Sequence, residues 1–143
     1  MYSYKYPHPA VDHLYEVHHV AQHYLKLNID QRLETGDLTL VEDLTAIPIN
    51  GKVHRFYSFA TKYCSHHRPD IYPIYDNYVH KLLMYFREKG YVKFKTGNDL
   101  KDYQKYTDII KSLKKKDKQL DKFTVKEIDK YLWQLEKEAF NPY

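Results

Sequence analysis

Apolar residues recur at three- and four-residue intervals along most of the chain, and that period predicts helices. From Pro9 to Leu27, the residues Ala10, Leu14, Val17, Ala21 and Leu25 share one face, and Pro9 suits a first helical turn. Residues 28–36 form a short turn or one helical turn, ended by Gly36. Asp37 can cap a helix from Leu38 to about Ala46, which Pro48 stops. Gly51 gives the backbone freedom to turn sharply into a second helix, from Lys52 to about His66. On that helix Val53, Phe56, Tyr57, Ala60, Tyr63 and Cys64 make an apolar stripe, and Arg55, Ser58, Lys62 and Ser65 a polar one.

Pro69 ends this helix, Pro73 keeps Asp70–Tyr75 extended, and Asp76 stands where an N-cap belongs. The helix that follows buries Tyr78, Val79, Leu82, Leu83 and Phe86 and closes at Gly90. Lys93–Asn98 are a polar connector, and Asn98 or Asp99 caps a helix carrying Leu100, Tyr103, Tyr106, Ile110 and Leu113. Thr124 and Glu127 form a capping box for the last helix, whose core stripe is Ile128, Leu132, Leu135 and Ala139. Trp133 and Phe140 lie on a second face of it, which is either buried from another side or borders a pocket. The sum is an all-α fold of about six helices, one compact domain over residues 1–143 with residues 1–8 a loose arm.

Composition narrows the class. With 143 residues, 43% hydrophobic and 29% charged, the chain can bury one core without metal or disulfide staples. Cys64 is alone, so no internal disulfide forms and a cytoplasmic setting is expected. No apolar run approaches the ~20 residues of a membrane helix. The N-terminus has no charged-then-apolar signal layout. A net charge of +4 and sixteen tyrosines suit a polyanion, with rings to stack on bases and lysines to meet phosphate. AT-rich codon usage raises Lys, Tyr, Asn and Ile together and produces the same bias.

Two clusters carry candidate chemistry outside the centre of the chain. Asp12, Glu16, His19 and His23 project from one helical stripe, a spacing that suits a transition metal or an ordinary solvated face. No third-segment ligand accompanies them, so no metal or other cofactor is expected. Lys114, Lys115 and Lys116 either complement the C-terminal helix dipole or contact phosphate.

The stretch 38–79 is similar to the helix-hairpin-helix DNA glycosylase superfamily, especially its 8-oxoguanine glycosylase-like members. LVEDLTAI, PING, KVHRFYSFATKYCSHH and YPIYDNYV follow the family order of helix, Gly-containing hairpin, helix and Pro-x-Asp-type segment. FATKYCSHHRPDIYPIYD also resembles a small bacterial group with this fold, and the likeness covers about 40 of the 143 residues. The family hairpin carries two glycines where this chain has Gly51 alone, and its catalytic lysine lies at a spacing matched by neither Lys62 nor Lys52. The resemblance implies double-stranded DNA as partner and base excision as activity. Lys62 would be the Schiff-base nucleophile and Asp76 the carboxylate that stabilises the sugar cation. Asn50, Gly51 and Lys52 would hold phosphate, and Trp133, Gln134 or Phe140 would face the base. A DNA-binding module without catalysis and a helical protein-interaction domain are the other classes the sequence allows.

Overall fold

A computed structural model describes the backbone of residues 9–140 and the side chains of residues 17–139. The expected loose arm over residues 1–8 lies outside the described residues. In order come α1 (Pro9–Leu25), α2 (Ile29–Thr35), α3 (Thr39–Thr45), β1 (Ala46–Ile49), β2 (Lys52–Arg55), α4 (Tyr57–His67) and α5 (Asn77–Glu88). A 3-10 turn (Gly97–Lys101), α6 (Tyr103–Lys116) and α7 (Val125–Phe140) complete it. The protein is mostly helical, with one small antiparallel sheet among the described residues.

That sheet corrects the all-α expectation. Asn50 and Gly51 both adopt positive φ, 51° and 75°, as a two-residue type I′ hairpin requires. The turn sets the register Ile49↔Lys52 through Ala46↔Arg55. Residues 52–55 therefore extend, and α4 starts only at Tyr57. Asn-Gly between alternating residues is the strongest short-range signal for a β-hairpin, and here it overrides the helical spacing of Val53 and Phe56. Ile47 and Ile49 face inward while Val53 is 65% exposed, so the hairpin has one buried side. Arg55 holds Glu42 bidentately at 2.7 and 2.9 Å, tying β2 to α3.

Leu44 of α3, Cys64 of α4, Leu82 of α5, Tyr106 of α6 and Leu132 of α7 meet in one buried cluster. Each such aliphatic side chain contributes about 1.5–3 kcal/mol by leaving water. The faces of three helices differ from expectation. Val17 and Leu25 of α1 are exposed, and the helix instead packs through half-buried Tyr24, whose hydroxyl donates to the Leu44 carbonyl at 3.3 Å. Ala10 and Leu14 have side chains outside the described residues. Tyr78 of α5 is exposed. In α7 Ala139 is exposed and Glu136 is buried, which turns the last two helical turns relative to the expected stripe.

The connector before α6 is better ordered than its polar composition suggests. Thr96 and Asp99 form a capping box around the 3-10 turn, and Asp102, not Asn98 or Asp99, caps α6 through the Lys105 N–H at 3.2 Å. Thr124 and Glu127 cap α7 reciprocally, as their spacing predicts.

Several tyrosines hold backbone rather than offering rings to solvent. The Tyr103 hydroxyl donates to the Pro73 carbonyl at 2.8 Å, the Tyr106 hydroxyl to that of Ile74, and the Tyr57 hydroxyl to that of Leu100 at 2.9 Å. All three rings are buried, and burial pushes their phenols well above the ordinary value. Part of the tyrosine excess is thus explained by packing, since an otherwise orphaned buried carbonyl is costly.

Candidate functional site

The extended segment 73–75 has no sheet partner, so its polar groups depend on side chains. The Ile74 N–H donates to Asp129 Oδ2 of α7 at 3.1 Å. The Tyr75 N–H donates to Thr61 Oγ1 of α4 at 3.0 Å, and that hydroxyl lies 3.2 Å from the Tyr75 carbonyl and 2.9 Å from that of Ser58. Asp76 follows at once as the N-cap of α5, its Oδ1 accepting the Val79 N–H at 2.9 Å. Such a cap stabilises by about 1 kcal/mol. Lys62 follows Thr61 on α4 and is exposed, whereas Ser65, one turn on, is buried and not part of a solvent-facing stripe.

Lys62 and Asp76 line the same cleft, a space of about 350 Å³ that also takes in Lys126, Asp129, Lys130 and Trp133 of α7. A second hollow, of about 380 Å³, shares Lys62 and Asp76 and continues to Ser58, Tyr78 and Lys81. The two make one groove across the start of α5, with the Lys62–Asp76 pair at its middle. Its rims are cationic, with an exposed aromatic at either side, Trp133 at 45% and Tyr78 at 44%. Among the described residues, neither Lys62 nor Asp76 is committed to an ion pair.

Asp129 is the unexpected member. Burial pushes its carboxyl up to about 7, opposed by the Ile74 N–H and Lys126 and assisted by the Asp76 charge. Its Oδ2 holds Ile74, while Oδ1 is shielded from solvent and has no protein partner. Asp129 is not among the residues that the sequence singles out on α7, whereas Trp133 is. Lys126, Asp129, Lys130 and Trp133 recur at three- and four-residue spacing on one side of α7, which groups the four without marking Asp129 among them.

The remaining sequence candidates fall elsewhere. Asn50, Gly51 and Lys52 are exposed at the hairpin tip and line no part of the groove. Lys115 and Lys116 are exposed at the end of α6, and Lys116 donates to the Gly90 carbonyl at 2.6 Å. Lys114 is half-buried. Gln134 is not among the residues lining the cleft and donates to Glu138 at 2.8 Å. The Trp133 ring carries Lys137 Nζ at 3.6 Å from its centroid. The Phe140 side chain lies outside the described residues, as do those of Asp12 and Glu16. His23 Nε2 donates to the Asp43 carbonyl at 2.6 Å, which spends it on joining α1 to α3. Among the described residues, no group of three or more His, Cys, Asp or Glu is placed to hold a metal. Nor is any described helix long and apolar enough to cross a membrane.

A family model described as "HI_0787_N: N-terminal domain" matches residues 8–71, a span that includes Lys62 and ends before Asp76. The chain is 42% identical over 128 residues to a Haemophilus influenzae protein described as an uncharacterised protein. The alignment takes in 89% of this chain and 60% of that protein, so the chain spans about three fifths of its relative's length. No solved structure matches.

Proposed function

We propose that the protein binds double-stranded DNA and acts as a DNA glycosylase with Schiff-base lyase chemistry, using Lys62 and Asp76. The observation that carries this reading is that one groove is lined by both residues and flanked by lysines and aromatic rings. The reading also rests on the likeness of residues 38–79 to the glycosylase superfamily. The hairpin within them plays a structural part.

In this reading a base is turned out of the duplex into the cleft, at a cost of a few kcal/mol of unstacking. Trp133 offers it an aromatic face. The second oxygen of Asp76, not engaged by the cap, stabilises positive charge developing at C1′ of the sugar. The Lys62 amine displaces the base at C1′, and cleavage of the C1′–O4′ bond, whose electron pair and a proton stay on O4′, leaves a Schiff base that permits strand cleavage. Lys81, Lys126 and Lys130 meet phosphates along the groove, in place of the hairpin tip and the Lys114–Lys116 run.

Binding is tested by titrating labelled duplexes at two salt concentrations, with an affinity on the order of micromolar expected to weaken as salt rises. Base release is tested on 8-oxoguanine and uracil duplexes. Binding without release on any lesion points to a DNA-binding module whose Asp76 is only a helix cap. A flat salt response, or no binding, removes both DNA readings.

A further inference from the structure

Asp129 has features that its structural bond does not account for. One oxygen suffices to hold the Ile74 N–H, and a neutral acceptor would do that as well. The other oxygen is shielded and has no protein partner, an arrangement that costs stability in the ionised form. Yet the residue lines the cleft beside Lys62 and Asp76. We infer that Asp129 is the general acid of this cleft, protonating the departing nucleobase. This rests on the glycosylase reading of Lys62 and Asp76 and assigns its missing proton donor.

The balance is as follows. The C1′–N glycosidic bond breaks and its electron pair stays on the base nitrogen. The Asp129 proton passes to the base, so the base leaves neutral and Asp129 becomes a carboxylate. The lone pair of the Lys62 amine forms the N–C1′ bond, and the surplus proton on that nitrogen passes to solvent in the open cleft. The two carboxyl groups of the cleft thus divide the labour. Asp76, partly solvated and capping α5, remains the charge stabiliser.

The surroundings suit a group that titrates near neutrality, where proton transfer is most efficient. Burial raises Asp129 to about 7, with Asp76 raising it further and Lys126 opposing. The groups near it are Lys62 from α4, Asp76 at the start of α5, Tyr103 and Tyr106 from α6, and Lys126 and Lys130 on its own helix. Both tyrosines are buried and their phenols stay neutral, so the lysines and Asp76 set the local field.

The test compares wild type with Asp129→Asn in two assays across pH 5–9. The first is single-turnover base release from 8-oxoguanine and uracil duplexes. The second is borohydride trapping on a preformed abasic duplex, where no base remains to be protonated. Wild-type release should fall on the alkaline side with a midpoint near 7. Asp129→Asn should slow release by about a hundredfold or more and remove that limb. Its trapping on the abasic duplex should stay within about threefold of wild type, as removal of a leaving-base proton donor alone requires. Equal losses in both assays would make Asp129 a structural residue and overturn the inference. A wild-type release profile flat through pH 7 overturns it too, whether or not the variant folds. Trapping by wild type on abasic duplex without base release overturns the general acid but spares Lys62. Neither release nor trapping by wild type removes the glycosylase reading and this inference together.

Discussion

The Thr61 hydroxyl accepts the Tyr75 backbone N–H at 3.0 Å while lying 3.2 Å from the same residue's carbonyl. The next residues in each segment are Lys62 and Asp76. A single fully buried hydroxyl therefore sets the relation between the two halves of the proposed site. Convergence of this lysine and aspartate is a consequence of backbone satisfaction at the residues before them.

Thr61→Val keeps the shape and removes the acceptor, leaving the Tyr75 N–H buried without a partner. The expected cost is about 1–3 kcal/mol in urea unfolding, and Thr61→Ser should recover most of it. A loss below about 0.5 kcal/mol would mean the segment is held by its tyrosine bonds instead.

Stability should depend on pH through Asp129. Its folded-state value, about 7, lies above the ordinary 3.8, so the folded protein binds more protons than the unfolded chain between these limits. Its contribution is therefore fully present below about pH 4, is lost as pH rises through 7, and is level above that. Asp129→Asn cannot ionise and still accepts the Ile74 N–H. Allowing for the residue's partly exposed side, the variant should lose roughly 1–3 kcal/mol less than wild type between pH 5 and pH 8. Identical pH dependence of urea unfolding for the two proteins would place the titration elsewhere.

Lys126→Gln and Lys130→Gln should each weaken duplex binding and reduce the slope of log affinity against log salt by about one. Lys52→Gln at the hairpin tip should change neither, because that tip lines no part of the groove. An unchanged slope for the groove variants, with a reduced one for Lys52→Gln, would return phosphate binding to the hairpin.

Most of the helices were legible in the sequence because caps and period agree. Asp76 and the Thr124–Glu127 box stand at the helix starts their chemistry predicts. The hairpin is not legible from periodicity, because Val53, Phe56 and Tyr57 also fit a helical period and conflict with the Asn50-Gly51 turn signal. The buried faces of α1 and α7 are not legible either, because periodicity finds a stripe but not which stripe the neighbours cover. Val17 and Leu25 are apolar and exposed, and Glu136 is charged and buried. Lys62 and Asp76 were readable as a pair only through the prolines between them. Asp129 depends on a contact with Ile74 from 55 residues away, and no local pattern records that.

The central claim is that Lys62 is a nucleophile working across the groove from Asp76, and covalent trapping tests it most directly. Protein is incubated with 8-oxoguanine, uracil and abasic-site duplexes in the presence of borohydride, and adducts are resolved by mass. The account predicts a protein–DNA adduct with wild type that Lys62→Gln abolishes, while Lys52→Gln still forms it. An adduct that persists in Lys62→Gln, or none with wild type on any of the three duplexes, would contradict it.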